Sequence, residues 1–223
     1  EKFNIHVIAF VEQIGIHKID KDKIESLTRD IVDSTITRCP DIEISKNMEN
    51  LILTLKEKGD SVGGIIKCII KNCPKGLGEP VFDKLEALLA HAIMSIPATK
   101  GFEIGSGFDC ASQFGSNHND LWKYSEVKKE HTETNNNGGI IGGISNGMDI
   151  NMRVAFKPPA TILIDQKTIN LSGEDVILKA KGRHDPCVVP RAVPIVEAMA
   201  SIVIINLLMH QLSREQLFFK FDN

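Results

Sequence analysis

The chain has 223 residues and a formal net charge of −3, with 42% hydrophobic and 25% charged residues. That balance is ordinary for a globular protein able to bury a core, and it gives no overall electrostatic pull toward nucleic acid or an anionic membrane. Any anionic ligand must be held by a local cluster of basic groups or by backbone N–H donors.

The chain begins at Glu1 and enters a strand-like run at once, residues 3–14, rich in Ile, Val and Phe. That start, with no initiator Met or secretory leader, reads as a piece of a longer protein. Residues 16–40 are charged and less periodic and read as a variable helix and loop ending at Cys39-Pro40. Met48, Leu51, Ile52 and Leu55 recur at spacings of three and four, which predicts a helix over 45–58 with Gly59 as its C-cap. A strand follows over 61–71, interrupted by Gly63-Gly64. Gly78-Glu79-Pro80 opens a predicted helix over 81–96 with the stripe Phe82, Leu85, Leu88, Leu89, Ala92 and Ile93. Residues 101–110 read as a strand or turn punctuated by glycine. Residues 111–138 are polar with little apolar periodicity, and 111–134 is expected to be a mobile loop.

Ile140–Ser145 and Ile150–Phe156 flank Asn146-Gly147, a strong hairpin signal, so 139–156 is predicted to be a hairpin. Two more short strands are expected around Ser172-Gly173. Pro186–Gln211 holds the last helix, whose Val196, Met199, Ala200, Val203, Ile204, Leu207 and Leu208 suggest burial on several sides. Its longest apolar run, Ala198–Met209, is too short to span a bilayer, so no membrane partner is expected. Irregular alternation of helices and strands with hairpins near the end argues for an α+β fold with helices on antiparallel sheets. The five cysteines, Cys39, Cys68, Cys73, Cys110 and Cys187, show no zinc spacing and read as reduced intracellular thiols.

Three segments carry chemistry. Gly138–Gly147 has five glycines in ten residues. Glycine lets a backbone approach a ligand closely and expose N–H groups to anions, though a plain glycine-rich hairpin has the same composition. It is neither a Walker loop nor a dinucleotide fingerprint. In Arg153–Thr161 a strand delivers Lys157 to Pro158-Pro159, which stiffens the chain just after the cation. An exposed lysine before a turn is the plainer alternative. In Lys181–Ala192, Arg183, His184, Asp185 and Arg191 fall within nine residues at the mouth of a helix. Arginine suits bidentate holding of carboxylate or phosphate, and helix N-terminal amides add to anion binding. The alternatives are N-capping by Asp185 and weak surface ion pairing. The density of the cluster favours a site.

Gly182-Arg183-His184-Asp185-Pro186-Cys187, with Arg191-Ala192-Val193-Pro194 and Glu197-Ala198-Met199 behind it, resembles the C-terminal signature of chorismate synthases. Thr134-Asn135-Asn136 leading into Gly138-Gly139-Ile140 and Gly142–Gly147 resembles another signature of that family. Lys100–Phe108 and Asp60–Gly64 also fit. The resemblance is dense from about Ile96 to Leu212 and thinner before it.

The resemblance implies an α+β sandwich, helices between antiparallel β-sheets, assembled as a homotetramer. It implies a carbon–oxygen lyase of the shikimate pathway and aromatic amino-acid biosynthesis. The reaction would be anti 1,4-elimination of phosphate from 5-enolpyruvylshikimate 3-phosphate to give chorismate. Reduced FMN would be the cofactor, and NADPH is a candidate for reducing it. Cofactor contacts carry over to Pro97, Ala98, Gly142, Lys157, Pro158, Pro159, Ala160, Thr161 and Arg183, a catalytic role beside the flavin N5 to Asp185, and substrate binding to Arg191. No metal is implied. His118-Asn119-Asp120 falls in the family's mobile loop. The expected location is the cytoplasm or a plastid.

The chain departs from the family in lacking its two histidine motifs and an Arg-Ser-Ser-Ala-Arg segment. Residues 1–212 are therefore expected to be an incomplete chorismate synthase domain, inactive alone and weak in holding FMN, with 213–223 a C-terminal tail. One alternative is a non-catalytic flavin- or phosphate-binding module that assembles with a partner. Another is a hydride-transferring FMN oxidoreductase, for which no nicotinamide fingerprint is present.

Overall fold

The computed structural model describes residues 3–20, 27–127 and 129–218. Its elements, in chain order, are β1 (His6–Ile14), β2 (His17–Lys18), α1 (Arg29–Asp33), α2 (Ile42–Lys58), β3 (Gly64–Lys71), α3 (Leu85–Met94), β4 (Thr99–Ile104), a 3-10 turn (Gly107–Ser112), α4 (Gly115–His118), β5 (Trp122–Ser125), β6 (Lys129–Thr132), β7 (Ile140–Ile141), β8 (Ile144–Ser145), β9 (Ile150–Phe156), β10 (Gln166–Ile169), β11 (Asp175–Leu178) and α5 (Val189–Phe218). Five strands share a sheet in the order β2-β1-β3-β9-β4, and β5-β6, β7-β8 and β10-β11 are two-stranded sheets. Each of these three small sheets is antiparallel, as is the β1-β2 pair. The mixture is the α+β class expected. Part of the 16–40 reading, residues 21–26, lies outside the described residues.

The chain divides into two compact units. One comprises residues 10–66 and 155–193; the other comprises the chain up to Ala9, Lys67–Val154 and the chain from Pro194. In the first, Phe10, Val11, Ile14, Met48 and Ile66 are fully buried. There α2 starts where Asp41 accepts from the Glu43 and Ile44 amides, at 2.9 and 3.0 Å, and ends at Gly59 in the left-handed conformation, φ 70°. The helix thus begins three residues before the apolar spacing shows it, because its first turn is set by a cap.

In the other unit, Ile70, Leu77, Leu85, Leu89, Ile93, Ile150 and Met152 form the fully buried core. α3 is shorter than the expected 81–96. The Leu85 amide donates to the Gly143 carbonyl (2.8 Å), and Phe82 adopts φ 56° and is 90% exposed. Residues 81–84 are therefore a loop, and Phe82 is not part of the core stripe. The expected hairpin about Asn146-Gly147 is also corrected. β7 pairs with β8, Ile141 opposite Ile144, around Gly142-Gly143. Those glycines have φ 64° and 94°, the two positive values a two-residue hairpin turn needs. Asn146 instead donates its amide to the Gly139 carbonyl and accepts from the Met148 amide, and β9 joins the large sheet.

The polar stretch 111–134 carries α4 and the β5-β6 hairpin. β10 and β11 sit as expected around Ser172-Gly173, with Thr168 opposite Val176. α5 runs through the start of the expected tail to Phe218. By length and composition, Val189–Arg214 is apolar enough to cross a membrane. It is not buried on several sides. Val196, Ala200, Ile204, Leu207 and Leu208 are buried, while Ile195, Ile202, Ile205 and Met209 are exposed, so both faces are apolar and one is packed.

Candidate active site

A hollow of about 880 Å³ lies in the unit formed by residues 10–66 and 155–193, with Arg38, Lys56, Arg183, Asp185 and Arg191 among its walls. The volume suits a cofactor or drug-sized ligand. Ile36, Ile52 and Leu53 add apolar wall. The donor set fits a planar ring carrying anionic groups: four cations with two carboxylates, Asp33 and Asp185, beside an aliphatic surface.

Within it the Arg191 Nη1 lies 3.0 Å and the Arg183 Nη2 3.9 Å from the Asp185 carboxylate. Asp185 is not an N-cap. α5 begins at Val189, and the Arg191 and Ala192 amides donate to the Val188 carbonyl, at 3.1 and 3.0 Å. The carboxylate is thus left to the arginines. Arg183 is 82% exposed and held only at the longer distance, so a ligand anion competes for it with little opposition. Burial pushes the Cys187 thiol up to about 11, so it stays protonated at neutral pH and is no nucleophile. His184 Nε2 is 3.2 Å from the Lys181 carbonyl and serves the turn.

Two prolines explain how this cluster is held. Pro194 lies inside α5. It has no N–H to give the carbonyl four residues back, which is Pro190's, and its ring pushes that carbonyl outward. Arg38 Nη1 supplies the missing donor at 2.6 Å. In the Lys157–Thr161 segment, Pro158 and Pro159 cannot donate to a ladder, and Ser61 Oγ donates to the Pro159 carbonyl at 2.7 Å. The next residue, Val62, donates its amide to the Pro186 carbonyl (2.8 Å). One short loop thereby ties both expected cofactor segments of this unit. Gly63 permits it: an added Cβ would collide with the Phe156 carbonyl oxygen. Arg38 and Ser61 are the residues sequence reading missed; the available signal was the proline four residues after Pro190.

Pro97, Ala98 and Gly142 belong to the other unit. Ala98 holds φ 70° in the turn between α3 and β4, a strained conformation for alanine. Gly142 sits at the β7-β8 turn with open space where a side chain would be. The segment leading into that turn is fixed by buried Asp120. Its Oδ1 accepts from Thr134 Oγ1 (2.7 Å) and the Asn136 amide (2.8 Å); its Oδ2 accepts from the amide and side chain of Asn137, both at 2.8 Å. Burial acts to raise its pKa, but these donors outweigh it and hold the carboxyl below its ordinary value. His118, two residues earlier, shares a 2.8 Å hydrogen bond with Ser106 Oγ.

Comparison with known proteins agrees with the resemblance. The family model for chorismate synthase matches residues 1–209. A chorismate synthase of Prochlorococcus marinus (strain MIT 9215) is 54% identical over 211 residues, covering 93% of this chain and 57% of that protein. One of Leptospira biflexa serovar Patoc is 52% identical over 214 residues, covering 94% and 56%. A crystal structure of chorismate synthase superposes with a TM-score of 0.78 at 32% identity, covering 95% of this chain and 59% of that one. The chain spans a little over half the length of these relatives, and it belongs to the chorismate synthase family.

Proposed function

We propose that the whole protein carries out the anti 1,4-elimination of phosphate from 5-enolpyruvylshikimate 3-phosphate, giving chorismate in the shikimate pathway. A C–O bond to phosphate and a C–H bond break, a C=C bond forms, and there is no net oxidation. The observation that supports this most directly is Asp185 set between Arg183 and Arg191 in a hollow with an aliphatic wall, in a chain of this family. Reduced FMN, when bound, supplies electron density without being consumed, and NADPH is the proposed reductant that maintains it. Arg183 and Lys157–Thr161 would hold the flavin; Pro97, Ala98 and Gly142 are further flavin contacts that the family resemblance implies. Arg191 would hold an anionic group of the substrate, which bears a phosphate and two carboxylates. Asp185, oriented by the arginines, would hold and move the proton. A homotetramer in the cytoplasm or a plastid is the proposed working form.

The test is a pair of variants in the whole protein, assayed anaerobically with reduced FMN. Asp185→Asn keeps the shape and removes the charge, so kcat falls by about a hundredfold or more, the usual scale for a positioned acid–base group, while the fold stays intact. Arg183→Ala weakens FMN binding by about tenfold, the loss of one charge-assisted hydrogen bond. Unchanged kcat in the first, or equal FMN affinity in the second, removes that residue from the mechanism.

A further inference from the structure

Arg38 combines three observations. Its backbone is in the left-handed region, φ 57°, which costs a non-glycine residue and persists only where the surroundings fix it. The surroundings do: its amide donates to the Thr35 carbonyl (3.1 Å) and its carbonyl accepts from the Val11 amide (2.9 Å). Its guanidinium then reaches across 152 positions of sequence to the Pro190 carbonyl at 2.6 Å, with Nε 3.5 Å from Asp33 Oδ1. Finally, it lines the same hollow as Arg183, Asp185 and Arg191.

The carbonyl it meets is the one that Pro194 deprives of a helical donor. Pro190 is the residue before Arg191, whose guanidinium holds Asp185. We infer that Arg38 is a positioning residue of the candidate site: it satisfies the carbonyl orphaned by Pro194, fixes the first turn of α5, and thereby sets Arg191 against Asp185. This rests on the reading of the hollow as a flavin and anion site, but the Arg38–Pro190 tie stands apart from that reading and can be tested apart from it. Arginine suits the task because its charge survives at every working pH and its planar fork can serve Pro190 and Asp33 together. Lysine presents one point of charge and cannot do both in a fixed plane.

The device predicts its own repair. Replacing Pro194 with alanine restores an N–H four residues after Pro190, so the helix satisfies the carbonyl itself and Arg38 loses its purpose. The experiment is a double-mutant cycle in the whole protein with Arg38→Ala, Pro194→Ala and both, reading Tm and the dissociation constant for FMN by fluorescence titration. In the Pro194 background, Arg38→Ala lowers Tm by about 2–4 °C, the scale of an unsatisfied part-buried carbonyl in a large domain, and raises the FMN dissociation constant about tenfold. In the Pro194→Ala background the same replacement changes Tm by less than about 1 °C, and FMN affinity returns to near the wild-type value, because coupled residues are not additive.

Additive Tm effects in the two backgrounds overturn the tie. A dissociation constant that stays high in the double variant overturns the positioning role and puts Arg38 in contact with the ligand. Unaltered FMN affinity in Arg38→Ala overturns any link between the tie and the site. A wild-type whole protein that binds no FMN sinks the flavin reading, and the Tm cycle still decides the tie.

Discussion

The glycine-rich segment Asn135–Gly147 and the basic cluster Arg183–Arg191 both read in sequence as candidate binding segments, yet they are held by opposite means. The first has almost no charge of its own. It is fixed by a single buried carboxylate, Asp120, whose two oxygens accept four hydrogen bonds from Thr134, Asn136 and Asn137. The second is rich in charge, but its ion pairs are exposed; its geometry comes from backbone carbonyls at Pro190, Pro186 and Pro159. A segment that offers backbone to a ligand needs an internal charge to hold it still. A segment that offers charged side chains must leave them free and be held by its backbone.

The sharpest way to break this contrast is Asp120→Ala. It leaves two backbone amides, the Asn137 side chain and the Thr134 hydroxyl without their acceptor, so stability falls by about 3 kcal/mol, the scale of hydrogen bonds to a charged group. Urea unfolding at neutral pH measures it, and a loss under about 1 kcal/mol would show that the segment holds itself. pH adds a second arm. The folded carboxyl is held below its ordinary value, so its contribution is fully present above the unfolded pKa, about 3.9. That contribution is lost as pH falls through the lower, folded pKa. The gap between wild type and Asp120→Ala therefore closes below about pH 4, and a gap that persists there rules out the ionised network.

A smaller effect tests the backbone side of the comparison. Ser61→Ala removes the donor to the Pro159 carbonyl and costs about 1 kcal/mol, the net worth of one ordinary hydrogen bond. Ser61→Thr keeps a hydroxyl and restores it. In 1H–15N spectra the alanine variant shifts the Ala160 and Thr161 amides and, through Val62, the residues around Pro186. Changes confined to positions 60–62 would show that the loop joins nothing.

Legibility in the sequence follows from how local each cause is. Helix α2 is written in four apolar residues and Gly59, and β10-β11 in Ser172-Gly173, because a few neighbouring residues decide them. Arg183, Asp185 and Arg191 were legible as a cluster for the same reason, and the fold keeps them together. The turn at 139–156 was misplaced because two glycine-bearing pairs compete, and the winner, Gly142-Gly143, offers positive φ at both positions while Asn146 is engaged by Gly139 and Met148. Arg38 and Ser61 reach partners 152 and 98 positions away, and no periodicity records such a contact. The outer face of α5 is apolar in sequence and exposed in the fold, so a hydrophobic stripe alone did not say which side is packed.

The smallest expected effect is the most telling about the charged cluster. Arg191 is 64% and Asp185 31% exposed at their 3.0 Å contact. A pair so open to water gains little, because solvent screens it and ordering two side chains costs entropy. Arg191→Gln should therefore change stability by less than about 0.5 kcal/mol, read by urea unfolding at 0.05 and 0.5 M salt. If the pair existed to stabilise the fold, the loss would exceed 1 kcal/mol and shrink with salt. A near-zero change at both salts means the arginine is poised at no benefit to folding, as expected of a side chain kept for a ligand.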